Sequence, residues 1–214
     1  MKSKTLNVFG LIAPVWLVVG VALAGALYPG YSHFEQAMSE LHALGSPVQS
    51  LSPLINNYPL GILFAGFGLF VFSIFKHKAA KVSAVMIILH GVGSILAGYF
   101  PCDVGCNPDS TSLNQTLHGI GGLIMLVTLL IAPAIWIFIA RKVLAASWFG
   151  WISVVCVLLQ LAVVPLMAAA LDSGEGFGFY QRIAYGIPLI WLFLFAALLL
   201  KHQEKAAETP KQTR

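Results

Sequence analysis

Leu123-Ile124-Met125-Leu126-Val127-Thr128-Leu129-Leu130-Ile131-Ala132-Pro133-Ala134-Ile135-Trp136-Ile137-Phe138-Ile139-Ala140, closed by Arg141-Lys142, is the stretch that decides the fold. With the residues before it, it forms a run over 115–140 that holds no Lys, Arg, Asp or Glu. The hydrocarbon core of a bilayer, about 30 Å thick, takes about 20 apolar residues at about 1.5 Å per residue of helix. Five other runs have the same character, at 6–28, 56–75, 82–100, 146–170 and 183–200, and none carries a formal charge. In lipid every backbone N–H and C=O must be satisfied within the protein, and runs rich in Leu, Ile, Ala and Gly achieve this as helices. The ten-residue alternation of an outer-membrane barrel is missing. The sequence therefore predicts an all-α fold, a six-transmembrane-helix bundle forming one integral-membrane domain over 1–200, followed by a disordered cytoplasmic tail over 201–214.

Composition agrees. Apolar residues make up 58% of the 214 and charged residues only 9%, against about 25% charged in soluble domains. A chain so poor in charge cannot cover a water-facing surface, which excludes a soluble monomer. The net charge of +4 does not indicate nucleic acid, because the basic residues form no patch interleaved with aromatics. No nucleotide-binding motif is present either. Met1-Lys2-Ser3-Lys4 ahead of an apolar stretch ending Ala22-Leu23-Ala24-Gly25-Ala26 has the elements of a signal peptide. Its apolar part, about 21 residues, exceeds the 7–15 of a signal core, so the first run is expected to remain as a span.

The basic residues fix an expected orientation, since cytoplasmic loops retain Lys and Arg. With the N-terminus inside, Lys2, Lys4, Lys76, Lys78, Lys81, Arg141, Lys142, Lys201, Lys205, Lys211 and Arg214 are cytoplasmic and Arg182 alone is outside. Six of the eight acids fall on the outer side: Glu35, Glu40, Asp103, Asp109, Asp172 and Glu175. The expected location is the cytoplasmic (inner) membrane with both termini cytoplasmic.

The outer loops are the longer ones, and loops on a rigid scaffold tend to carry function. Ser32-His33-Phe34-Glu35 matches the S-x-x-E capping box, and Phe34, Ala37, Met38, Leu41 and Gly45 follow at helical spacing. Residues 33–44 are expected as a short amphipathic helix on the outer membrane surface. The second outer loop holds Cys102 and Cys106, which suggest a small-loop disulfide in an oxidising compartment, with free thiols or a metal as the alternatives. Zinc would need two further ligands. Cys156 lies mid-span and reads as a small buried apolar residue.

Tyr28-Pro29-Gly30-Tyr31-Ser32, Met38-Ser39-Glu40-Leu41, Phe100-Pro101-Cys102-Asp103 and Leu117-His118-Gly119 together resemble the bacterial and archaeal membrane family called domain of unknown function 998. The resemblance covers roughly 8–200. It implies a topology and recurring candidate residues, Ser39, Phe100, Pro101, Asp103 and His118, without implying a reaction.

Polar groups inside spans are costly and often functional. His90, Ser94 and Gly98 share one face of the third span, and His118, Gly122 and Met125 one face of the fourth. Small residues at that spacing predict close contact between these helices, each imidazole bonding its neighbour. His90 should lie about 15 Å below the outer boundary and His118 about 5–8 Å below it. Such unequal depths argue against a bis-histidine haem. His118 is placed to meet Asp103, His42, Ser39 and Glu40, where a His beside a carboxylate can act as base or help hold a metal-bound water. That set is similar in kind to the Ser, Asp and His around zinc in alkaline-ceramidase-type lipid hydrolases. Those enzymes have seven spans and a His-x-x-x-His pair on a late helix that this chain lacks.

Two functions follow as expectations. The first is binding or transport of a membrane lipid or other amphiphile at the outer leaflet. Here Arg182 would partner an anionic head group, and Tyr185, His42, His90 and Tyr31 would be further ligand contacts. The second is a metal-assisted lipid hydrolase with His118, Asp103 and Ser39 as catalytic residues and His118 and Asp103 as ligands to a zinc ion.

Overall fold

The computed structural model describes residues 2–208, with side chains for 5–204. Among the described residues, seven α-helices occur in the order α1 (Lys2–Ala26), α2 (Leu51–Ile55), α3 (Asn57–Ile74), α4 (Lys78–Tyr99), α5 (Leu113–Leu144), α6 (Ser147–Ser173) and α7 (Phe177–Glu208). Two 3-10 turns, Met38–His42 and Val104–Cys106, sit in the loops, and no strand occurs among the described residues. Six segments are long and apolar enough to cross a bilayer, α2 and α3 counting as one over Leu51–Ile74. The chain is thus a multi-pass integral membrane protein. Large apolar side chains face outward on every wall, such as Val18, Ile62, Leu123, Leu158, Ile190 and the 81% exposed Phe138. In water these would be a liability, whereas against acyl chains they are the expected surface.

The helices close into a ring, α1–α3–α4–α5–α6–α7, with α7 returning to pack on α1. Two devices hold it. The first is close approach of α3, α4 and α5 through small residues. A β-carbon on Gly91 would lie 2.5 Å from the Gly61 carbonyl oxygen, and one on Gly121 would lie 2.9 Å from the Gly93 carbonyl oxygen. Only glycine lets these backbones meet. The second is an aromatic plug of Phe67, Phe70, Trp136, Phe149, Trp191 and Phe195, each at most 1% exposed. The Trp136 and Phe195 ring centroids are 4.7 Å apart, and Phe149 stacks on Phe195 at 5.2 Å. Both buried indole N–H groups are satisfied at 2.9 Å, Trp136 donating to Ser83 Oγ and Trp191 to Ser153 Oγ. The plug fills the half of the ring nearer the lysine-rich connections and leaves the half under the long loops to other residues.

Two sequence expectations change. Residues 33–44 do not form a continuous amphipathic helix. Ser32 Oγ does accept the Glu35 N–H at 3.2 Å, but the turn is not propagated. Instead the Glu40 carboxylate accepts the Ala37 N–H at 2.8 Å and restarts the chain as the Met38–His42 turn. Part of the segment's apolar side is buried in the protein: Leu41 is wholly enclosed with Val21, Ala24 and Val48, while Phe34 is exposed. At the other end, α7 continues to Glu208, so residues 201–208, expected in a disordered tail, are helical, while 209–214 lie outside the described residues.

The glycine contacts generate a test. Gly91→Ala should destabilise by about 1–3 kcal/mol, the usual cost of overpacking, because the β-carbon meets backbone that cannot rotate away. Gly119→Ala, with nothing within 4 Å of its new β-carbon, should stay within about 0.5 kcal/mol. Thermal unfolding of both variants in detergent checks the contrast.

Candidate functional site

The long loops are tied to the ring chiefly by Arg182 on the first turns of α7. One guanidinium nitrogen donates to the Gln36 carbonyl at 2.9 Å and to the Gly178 carbonyl at 2.8 Å. The other donates to Tyr31 Oη at 2.7 Å and to His33 Nδ1 at 3.1 Å. Tyr31 in turn donates to the Ala37 carbonyl at 2.8 Å. Burial holds the Tyr31 phenol above its usual range, so it remains a donor at neutral pH. A guanidinium has no lone pair to offer, so His33 Nδ1 is the acceptor, and burial followed by the Arg182 charge lowers that imidazole's proton affinity.

Beneath this clamp lies a chamber of about 230 Å³, well beyond the roughly 10–15 Å³ that one water needs on the same measure. Its polar wall includes Ser39, His42, Asn56, His118, Gln181 and Tyr185. Leu17, Val21, Leu60, Ala97 and Met125 supply apolar surface, and no Lys, Arg, Asp or Glu lines it. The break between α2 and α3 falls here: Asn56 departs from helical geometry at φ −117°, ψ −77°, and the Trp16 indole donates to the Ile55 carbonyl at 2.7 Å. Interrupted backbone at membrane depth is tolerated where it lines such a cavity.

Two further spaces adjoin the chamber. A vestibule toward the long loops shares Ser39, His118 and Gln181 with it and is bordered by Glu35, Glu40 and Cys106. On the lipid side, an apolar groove between α1 and α7 runs along Val18, Ala22, Gly186 and Leu189, with His33 and Arg182 at its head. Leu17, Val21 and Met38 line both the groove and the chamber.

The sequence profile of the family described as Protein of unknown function (DUF998) matches residues 11–198. The chain belongs to the DUF998 family. Neither a curated protein nor a solved structure matches it.

The expected site residues of this DUF998 chain divide into three groups. Ser39, His42, His118 and Tyr185 come together around the chamber. His118 Nδ1 lies 3.0 Å from the Ala97 carbonyl and 2.9 Å from the Phe100 carbonyl. It therefore carries the proton there, caps the end of α4, and leaves Nε2 with its lone pair. His42 Nδ1 likewise bonds the Gln49 carbonyl at 2.8 Å, leaving Nε2 buried without a hydrogen-bond partner.

Asp103 lies elsewhere. Its carboxylate accepts from Ser110 Oγ, and its N–H donates to Gln115 Oε1 at 3.0 Å. Hydrogen bonds from Ser110 and Ser112 hold its carboxyl below the ordinary range. Among the described residues, the single group of three or more His, Cys, Asp or Glu gathered closely enough for a metal is Cys102, Cys106 and His118. Cys102 and Cys106 are joined as a disulfide, so neither offers a thiolate and His118 stands alone as a donor. Asp103 is not a member of that group. Cys156 is buried, as expected, and accepts from Gln160 Nε2 at 3.3 Å.

His90, Tyr31 and Arg182 make contacts that tie elements together. His90 bonds the Met125 carbonyl at 3.0 Å and packs on Phe64 at 4.2 Å, joining α4 to α5 as the face pattern predicts and taking no part in the chamber wall. Arg182 and Tyr31 serve the loop clamp. The sequence reading missed Asn56, Asn57, Ser52 and Gln181. The adjacent Asn56-Asn57 pair was the available signal, because two amides at the start of an apolar run are costly unless something polar faces them.

The His42 environment predicts a pH dependence. Burial lowers its proton affinity below the ordinary value of 6.5, outweighing its backbone hydrogen bond. Below that ordinary value the unfolded chain takes up a proton that the folded chain resists, so stability is full above it and declines as pH falls. The apparent Tm should drop between about pH 7.5 and about pH 5.5, and His42→Gln should flatten the drop. The exposed His33 adds a smaller contribution of the same sign.

Proposed function

We propose that this protein binds a membrane lipid or similar amphiphile, with the head group in the chamber and the tail in the groove between α1 and α7. The observation that carries this reading is the shared wall. A chamber with a partly polar wall and a more apolar, lipid-facing groove share Leu17, Val21 and Met38 as lining, an arrangement that suits a molecule with one polar and one apolar end. The unbranched Met38 is well suited to yield as a ligand passes.

The loop-rich end is read as the outer one. Among the described residues, nine of the ten Lys and Arg lie at the opposite end, in keeping with retention of positive charge in the cytoplasm. The chamber then opens at the level of the outer leaflet of the cytoplasmic membrane. The aromatic plug below it favours capture from that leaflet over passage through the ring. The metal-assisted hydrolase is the weaker reading, because the Asp103 carboxylate is engaged with Ser110 and stands apart from the chamber.

Two variants test the binding reading at positions where an added β-carbon meets nothing within 4 Å. Gly122→Leu should fill the chamber and Gly186→Phe the groove. Lipid retained per chain after mild detergent extraction, measured by mass spectrometry, is expected to fall about tenfold in each, a loss of roughly 1.4 kcal/mol of affinity, with elution volume unchanged. Unchanged retention in both would overturn the reading. Asp109→Cys, in the protein with its disulfide intact, should react with a membrane-impermeant maleimide on intact cells, and labelling only after permeabilisation would reverse the orientation.

A further inference from the structure

The chemistry of the chamber wall narrows the head group. We infer that the chamber takes an uncharged head group bearing several hydroxyls, of the glycosyl or glycerol kind, in preference to a phosphate or carboxylate; this rests on the amphiphile reading above.

Three observations support the choice. First, the wall has no Lys, Arg, Asp or Glu, so a charged head would leave water for a site with no countercharge, which is strongly unfavourable. Second, the cation nearest the ligand path is already engaged. Arg182 spends its guanidinium on two carbonyls, a phenol and an imidazole, leaving no bidentate face for an anion.

Third, the unpartnered polar atoms suit hydroxyls. His118 Nδ1 lies against the Ala97 and Phe100 carbonyls, so in the neutral ring Nε2 offers a lone pair that a hydroxyl would bond. Ser39 Oγ and Tyr185 Oη line the same chamber without protein hydrogen bonds among the described residues, and each can donate and accept, as a hydroxyl does. The vestibule adds Glu35 and Glu40, whose charges disfavour an approaching anion.

The test uses the full-length protein in neutral detergent. Monoglucosyl diacylglycerol, phosphatidate and diacylglycerol with identical acyl chains are competed against a fluorescent acyl probe. The glucosyl lipid should bind at least about tenfold tighter than phosphatidate, and Tyr185→Phe should reduce its binding about three- to tenfold, the usual range for one lost hydrogen bond. The same variant should leave diacylglycerol unchanged. Tighter binding of phosphatidate, or a glucosyl preference untouched by Tyr185→Phe, overturns the neutral-hydroxyl assignment while amphiphile binding stands. If none of the three lipids competes, or Gly186→Phe alters none of them, the amphiphile reading itself fails. Methyl glucoside separates a free sugar from a lipid: affinity equal to that of the glucosyl lipid would overturn the lipid source and keep the head-group chemistry.

Discussion

An apolar side chain gains little by leaving lipid tails for a protein interior, so a helix ring in a bilayer cannot rest on the hydrophobic effect that organises soluble cores. What holds this one is close packing and the satisfaction of buried polar groups. Gly91 and Gly121 bring α3, α4 and α5 to backbone contact. Ser83 and Ser153 accept the two buried indole N–H groups and allow large aromatic surfaces to sit inside the ring. The plug fills one half of the ring. The chamber lies in the other half, walled by α1, α3, α4, α5, α7 and the first long loop.

The same requirement explains the histidines. His90 and His118 both reach backbone carbonyls of a neighbouring helix, so each satisfies itself and binds two walls together. They differ in what the second ring nitrogen meets. His90 is enclosed against Phe64, while His118 borders both the chamber and the vestibule. One residue type is therefore enclosed as a rivet at depth and borders open space nearer the long loops.

Much of the architecture was legible in the sequence because lipid imposes a strong pattern. Twenty uncharged residues leave few alternatives to a span, and the 115–140 run lies within α5 with a few residues to spare at each end. The small-residue faces around His90 and His118 were readable for the same reason. The first outer loop was not. Its helical spacing was real, but the Glu40 carboxylate and the Arg182 clamp, contacts spanning 3 and 146 positions respectively, outweighed a periodicity of one face. The site was half legible: Ser39, His42, His118 and Tyr185 converge, whereas Asp103, adjacent in sequence to Cys102, turns to a local serine. Nothing in the order of residues announces that Leu17 and Val21 of α1 would wall a cavity, since they look like any other apolar positions of a span.

The groove between α1 and α7 faces lipid, and this changes how its occupancy is reckoned. A ligand entering by that route is already confined to a thin layer, so the governing quantity is its mole fraction in one leaflet and not its concentration in the surrounding water. Intrinsic contacts too weak to hold a soluble ligand then suffice for saturation. Exchange would follow lateral diffusion and the order of the acyl chains, making the protein responsive to the composition of the very layer in which it sits.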